Sequence, residues 1–202
     1  MTAATRATPG MATIARLPAS RHAFTAYLGM VVFLSSWTMM FAGFFFAYAL
    51  VRSHAPVWPP ADQPALPLLA PGINTLVALA GSAALVLALR DMRRGERARP
   101  ARWLGVAALL GATFLALQAA VWVSLWDAGL RPDGGPYASV FYGLTGIHAL
   151  HVLVGVVALG ALALMLRPGP GRTGELRVRL WGMYWHFVAA VWVGLYLAVY
   201  LA

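Results

Sequence analysis

Five long apolar stretches constrain the fold of this 202-residue chain more than any other feature. None of them contains Asp, Glu or Arg between its ends, and a transmembrane helix needs about 17–25 predominantly apolar residues. The sequence therefore predicts an all-α fold, a polytopic transmembrane bundle of five helices. The spans are predicted at about residues 24–51, 73–89, 103–126, 138–166 and 180–202.

Composition excludes most other classes of protein. Hydrophobic residues make up 61% of the chain and charged residues 10%, whereas roughly 25% of an average soluble domain is charged. A soluble fold of this length could not cover so much apolar surface. The chain has no Cys, which excludes thiol catalysis, thiolate-bound zinc and iron–sulfur clusters.

The arginines predict an orientation in the membrane. All but two of the 15 basic residues lie in the N-terminal tail or in the two loops on the same side, and only Arg52 and Arg131 lie opposite. Because basic loops stay in the cytoplasm, the N-terminus is predicted to be cytoplasmic and the C-terminus periplasmic. Residues 1–21 are predicted to form a flexible cytoplasmic tail, and residues 22–202 a single membrane domain. The same rule explains the net charge of +9 without a nucleic-acid partner.

Small residues recur every four positions in three spans, and residues at this spacing lie on one helix face. We expect these faces to pack in the bundle. They are Asn74, Ala78 and Ser82 in the second span, Ala108, Ala112, Ala116 and Ala120 in the third, and His186, Ala190, Gly194, Ala198 and Ala202 in the fifth.

Aromatic residues near the span ends are expected to form interfacial belts: Trp58, Trp126 and Tyr137 at one surface, Trp103 and Trp181 at the other.

Polar side chains inside the spans are few, and such residues in membranes join helices or serve function. The candidates are Asn74, Gln118, His148, His151 and His186. Our interpretation is structural: a neutral imidazole or amide can bridge two helices by hydrogen bonds. The alternative is a bis-His haem held by His148 or His151 together with His186, or metal ligation by the three histidines. No carboxylate lies within the spans to orient a metal-bound histidine, which disfavours this alternative.

Several motifs resemble one known family. Residues 141–152 carry the pattern Phe-x-x-x-Thr-Gly-x-His-x-x-His-Val, and residues 185–192 read Trp-His-Phe-Val-x-x-x-Trp. Residues 73–76 read Ile-Asn-Thr-Leu, and residues 58–60 read Trp-Pro-Pro. In order and spacing these segments resemble subunit III of the haem–copper (cytochrome c or quinol) oxidases, in its short five-helix bacterial form.

The resemblance implies a non-catalytic subunit of a respiratory terminal oxidase, a complex that transfers electrons to oxygen and pumps protons. Haem and copper would lie in subunit I, and this chain would hold no cofactor of its own. It would flank and stabilise subunit I in a bacterial inner membrane, with subunit II and a small subunit IV as further partners. Bound phospholipid is expected as well, with Arg90, Arg102 and Arg179 contacting lipid headgroups unless they serve only to set topology.

Two other functions stay open at this stage. One is a subunit-III-like accessory protein of a nitric oxide reductase system, and the other is an autonomous bis-His haem electron carrier. The sequence also departs from the family pattern at three positions where the family carries acidic residues. Trp37, Val121 and Ala189 stand there instead. These departures put in doubt any part in proton uptake that the family assigns to the acid of the first span.

Overall fold

The computed structural model describes residues 19–58, 60, 63–96, 98–167 and 174–201. Within these ranges the chain is all helical and has no strand. The helices are α1 (Ala19–His54), α2 (Leu69–Arg93), α3 (Arg99–Asp127), α4 (Pro136–Met165) and α5 (Gly174–Leu195), and a π-helical segment, Tyr196–Leu201, continues α5. All five are long and apolar enough to cross a membrane, which confirms the predicted five-span bundle. Residues 1–18 of the predicted tail lie outside the described ranges.

Proline and glycine mark where several helices begin. Pro71 lies in the first turn of α2, and Pro136 is the first residue of α4. Proline is tolerated there because first-turn N–H groups have no partner within the helix. Gly135, just before α4, has φ 115°, a conformation that suits glycine. Helix α1 extends to His54 and α2 begins at Leu69, so both helices reach into the gap of residues 52–72 left between the first two predicted spans.

Four of the helices form a core, and α1 lies outside it. Helix α2 packs against α3 and α5, and α4 packs against α3 and α5. Helix α1 contacts α4 and α5, and of its described side chains only Phe41 and Tyr48 are buried. The structure therefore has a compact four-helix unit with one peripheral helix.

The buried faces of α2 and α3 follow a heptad repeat, with spacings that alternate between three and four. On α3 the buried positions are Leu104, Ala107, Gly111, Phe114, Gln118, Val121 and Leu125. The predicted alanine face of this helix is wrong, because Ala112, Ala116 and Ala120 are exposed. A stripe at every fourth residue drifts around the helix, whereas a heptad stripe stays against a left-handed neighbour.

The predicted small-residue faces of α2 and α5 can be compared with burial in the structure in the same way. On α2 the prediction is confirmed for Asn74 and Ala78, which are buried, and Ser82 is half-buried. On α5 the prediction is wrong for Ala190, which is exposed, whereas His186, Gly194 and Ala198 are half-buried and Ala202 lies outside the described residues. The buried side of α5 carries Val178, Gly182, Trp185, Val188, Trp192 and Leu195.

Trp185 of α5 fills a socket made by glycines from three other helices. A Cβ atom at Gly111 would lie 2.5 Å from both Trp185 Cη2 and Val156 Cγ2. A Cβ at Gly81 or Gly155 would lie 3.0 Å from the indole ring. The indole can therefore reach the centre of the bundle only because α2, α3 and α4 each present a glycine to it.

Aromatic side chains pack together at the end of the bundle where α1 ends and α2 begins, the end that carries the proline-rich stretch of residues 56–71. The Trp58 ring packs against Tyr48 and Tyr137, with centroid distances of 5.5 and 4.9 Å. Tyr137 is buried, so the prediction that it belongs to a lipid-facing belt is wrong. Trp126, in contrast, is exposed as expected. We call this the proline-rich end, and the end with the α2–α3 loop the arginine-rich end.

Candidate functional site

Hydrogen bonds between polar side chains and neighbouring helices join the middle of the bundle. Asn74 Nδ2 donates to the carbonyl of Phe114 at 3.4 Å, linking α2 to α3. Trp192 Nε1 of α5 donates to Thr75 Oγ1 of α2 at 3.1 Å. Trp122 Nε1 of α3 donates to Thr145 Oγ1 of α4 at 3.2 Å. Each bond involves a predicted polar residue or a close neighbour of one. Thr75 follows Asn74, and Trp122 and Thr145 lie within four positions of Gln118 and His148.

His148 is enclosed by aromatic rings from three other helices. The rings of Phe114, Trp192 and Phe41 have centroids 5.8, 5.3 and 6.3 Å from its own. Neither ring nitrogen has a hydrogen-bond partner among the described residues. A cavity of about 10 Å³, which also touches Ala189, lies beside the imidazole. That is about the volume needed for one water molecule.

His151 lies one turn further along α4 and is held differently. Its Nδ1 donates to the carbonyl of Ile147 at 2.6 Å, and its own carbonyl accepts a hydrogen bond from Tyr184 at 3.0 Å. Trp37 packs edge-on against the imidazole, with centroids 3.8 Å apart. Trp37, one of the three positions where the motifs predicted an acidic residue, is therefore in direct contact with this histidine.

Gln118 is buried on the packing face of α3, one turn after Phe114. His186 is elsewhere: it is half-buried on α5, and within the described ranges no hydrogen bond or ring contact joins it to His148 or His151. The structure thus brings His148 and His151 together with α1, α3 and α5. It does not bring His186 to them.

This arrangement does not fit a haem held between two histidines. The space beside His148 is only about 10 Å³, and aromatic rings occupy the remaining sides. Across the described part of the chain, no group of three or more His, Asp or Glu side chains could hold a metal ion. The polar interior is instead arranged as a set of contacts between helices.

The arginine-rich end has a pocket of its own, with a volume of about 430 Å³, between α2 and α3. Arg90 and Arg102, two of the predicted headgroup contacts, line it together with Arg94 and Arg99. The third predicted contact, Arg179, lies on α5, where its Nε donates to Glu175 at 3.0 Å. Sequence reasoning missed Arg94 and Arg99, although both flank the same short loop as the two that it named.

These features define a multi-pass helical membrane protein in which aromatic rings pack around the buried histidines. The family model of cytochrome c oxidase subunit III matches residues 19–202, which include all five helices. The chain belongs to the cytochrome c oxidase subunit III family, as the motifs predicted.

The sequence is similar to those of known relatives over most of its length. It is 37% identical to cytochrome c oxidase subunit 3 of Synechocystis sp., over 89% of this chain and 77% of the relative. It is 35% identical to cytochrome c oxidase subunit 3 of Thermostichus vulcanus, over 91% and 90%. It is 32% identical to a probable cytochrome c oxidase subunit 3 of Nocardia farcinica, over 96% of both chains. Neither the nitric oxide reductase alternative nor the haem-carrier alternative has support among these relatives.

Proposed function

We propose that this chain is the non-catalytic subunit III of a respiratory haem–copper terminal oxidase. The observation that carries the proposal is the family match across all five helices, supported by bacterial relatives that bear this name. Haem and copper would reside in subunit I, where electrons are transferred to oxygen and protons are pumped. This chain would contribute no redox centre and would act by holding subunit I in its working form.

The proposed partners are subunit I, subunit II and a small subunit IV in a bacterial inner membrane. We place the arginine-rich end in the cytoplasm, because basic loops are retained there. Large apolar side chains are exposed on α1 to α4, such as Phe46 on α1 and Leu109 on α3, and on the π-helical continuation of α5, at Leu197 and Leu201. Such surfaces suit contact with lipid and with other membrane subunits.

A structural role fits the buried polar residues. Asn74, His148 and His151 lie inside the bundle, where a hydrogen bond or ring contacts join each of them to a neighbouring helix, and Gln118 is buried on the packing face of α3. We assign His186 a structural role on the half-buried face of α5. The proposed headgroup contacts of Arg90, Arg102 and Arg179 would fasten the subunit to anionic lipid at the cytoplasmic surface.

The test is purification of the tagged full chain from native membranes in mild detergent, followed by mass spectrometry and absorption spectroscopy. We expect a large multi-span subunit with haem and copper in near-equal amount. A tagged, unrelated membrane protein of similar abundance is the control for non-specific capture. Elution of the chain alone would contradict the proposal, and colour in that lone chain would point to an electron carrier.

A further inference from the structure

We propose that the cavity of about 10 Å³ beside His148 binds a water molecule that joins α4 to α5 by hydrogen bonds. In this arrangement the water accepts a hydrogen bond from the indole N–H of Trp185 and donates one to the unprotonated ring nitrogen of His148. The proposal concerns the interior of this chain and does not depend on the function proposed above.

Two buried polar side chains line this cavity, and each needs a hydrogen-bond partner. His148 is 1% exposed and Trp185 is 3% exposed. Among the described residues, neither ring nitrogen of His148 nor Nε1 of Trp185 has a partner. A buried polar group left without a hydrogen bond is destabilising. Because the indole N–H only donates and a neutral imidazole has one accepting nitrogen, a single water molecule can serve both side chains.

The orientation of the indole places its nitrogen on the same side as the cavity. Trp185 Nε1 lies 3.1 Å from the position that a Cβ atom of Gly81 on α2 would take. Ala78, one turn earlier on that helix, lines the cavity together with His148. Residues three apart lie on one helix face, so the nitrogen edge of the indole and the cavity adjoin the same face of α2. The volume is about that of one buried water molecule, which needs at least two polar partners.

Two other indoles in the bundle show the kind of partner that Trp185 lacks. The N–H groups of Trp122 and Trp192 each donate to a threonine hydroxyl on a neighbouring helix. Each hydroxyl in turn donates its own hydrogen to the carbonyl four residues earlier. In both cases one oxygen atom accepts an indole N–H and donates onward. Ala189, on the cavity wall, offers no such oxygen to Trp185, and the water would supply it.

The test is solid-state NMR of the full chain, labelled with ¹⁵N and returned to a lipid bilayer after purification. The experiment measures magnetisation transfer from water to each indole N–H, and Trp185→Phe identifies the Trp185 signal by its disappearance. We expect strong transfer to Trp185 and severalfold weaker transfer to Trp192, whose N–H is already bonded to Thr75. No transfer to Trp185, or equal transfer to both indoles, would overturn the proposal, because the cavity would then be dry or water would enter the bundle generally.

A pair of neighbouring substitutions tests the position of the water. Ala189→Val adds two methyl groups at the wall of the cavity, and we expect transfer to the Trp185 N–H to fall severalfold as the water is displaced. Ala190→Val adds the same groups at an exposed position and should leave the transfer unchanged. Undiminished transfer in Ala189→Val, or an equal loss in both variants, would overturn the assignment to this cavity.

A last variant tests the bond to α4. His148→Phe keeps an aromatic ring at this position but removes the accepting nitrogen. We expect severalfold weaker transfer to the Trp185 N–H, because the water would keep only one of its two partners. Transfer equal to that of the native chain would overturn the bridge between the helices. The NMR signals come from the interior of this chain, so they remain interpretable when subunit I fails to co-purify, an outcome that contradicts only the proposed function.

Discussion

Individual residues in this protein determine how closely its helices approach one another. Three glycines admit the Trp185 indole, and indole N–H groups of Trp122 and Trp192 bond to threonines on neighbouring helices. In lipid, association of helices depends on close packing and polar contacts, because burial of apolar surface supplies no driving force. These few side chains therefore carry more of the stability than their number suggests.

The socket around Trp185 gives the first prediction. We expect Gly111→Ala to lower the free energy of unfolding by about 1–3 kcal/mol, since the new methyl group overlaps Trp185 and Val156. Unfolding of the purified chain in mixed micelles, titrated with a denaturing detergent, measures the change. Gly105→Ala on the same helix is the control, because no atom beyond its chain neighbours and its own helix backbone lies within 4 Å of its Cβ position. Equal effects of the two substitutions would contradict the steric argument.

A second prediction concerns the bond between α2 and α5. Thr75→Val removes the acceptor of the Trp192 indole, which is fully buried, and we expect a loss of about 0.6–2 kcal/mol. Thr113→Val is a close control: both hydroxyls donate to the carbonyl four residues earlier, but only Thr75 also accepts a bond from another helix. The same detergent titration applies. Should the two variants unfold alike, the interhelical bond contributes nothing measurable.

Two of the three positions where the resemblance predicted acidic residues lie beside buried histidines. Ala189 lines the small cavity beside His148, and Trp37 packs on the ring of His151. Each histidine therefore lies beside an apolar residue at a position where the resemblance predicted a carboxylate. An apolar substitute removes the cost of burying a charge, so the bundle can tolerate these changes together.

At the scale of helices, the number and the approximate limits of the elements could be predicted from the sequence, but their faces could not. Every face of these helices is apolar, so hydrophobicity does not distinguish inside from outside. The polar residues do carry that signal: a heptad extended from Gln118 passes through Gly111 and Leu104, and all three are buried. The prediction instead used small residues at every fourth position, which on α3 are mostly exposed alanines. Arg94 and Arg99 were not predicted as lipid contacts, because the sequence does not show that they line the same pocket as Arg90 and Arg102.

Helix α1 is attached to the core mainly through aromatic contacts. Phe41 is 2% exposed and reaches the rings of His148, His151 and Phe187, with centroids 6.3, 5.2 and 6.4 Å away. We expect Phe41→Ala to loosen α1 while leaving the α2–α3 pair unchanged. The reason is that the lost dispersion contacts all lie between α1 and the helices α4 and α5.

Hydrogen–deuterium exchange checks this third prediction. Amides of α1 should exchange severalfold faster in Phe41→Ala, with no change in α2 and α3. Phe46→Ala provides the comparison on the same helix, since Phe46 is 69% exposed and should leave exchange unaffected. Uniform acceleration in all helices would show that α1 is an integral part of the folding unit.

At the scale of the whole molecule, the protein is a bundle whose described interior is filled largely by its own apolar and aromatic side chains. The chemistry proposed for the complex lies in another subunit, so this chain acts through its surfaces. One of these surfaces is the face of α5 that carries His186, which is half-buried, and Ala190, which is exposed. This face leaves an imidazole partly exposed on a membrane-spanning helix, and polar side chains there are costly in lipid unless they meet a partner.

The last prediction follows from that cost. If His186 helps this chain hold its partners, His186→Ala should lower the amount of subunit III retained per haem severalfold after detergent purification. The haem absorption spectrum of the remaining complex should stay unchanged, because no redox centre depends on this imidazole. His22→Ala, at an exposed position near the start of α1, is the control and should leave retention unaltered. A haem signal lost from a complex of intact subunit stoichiometry would refute the structural role and reopen ligation by His186.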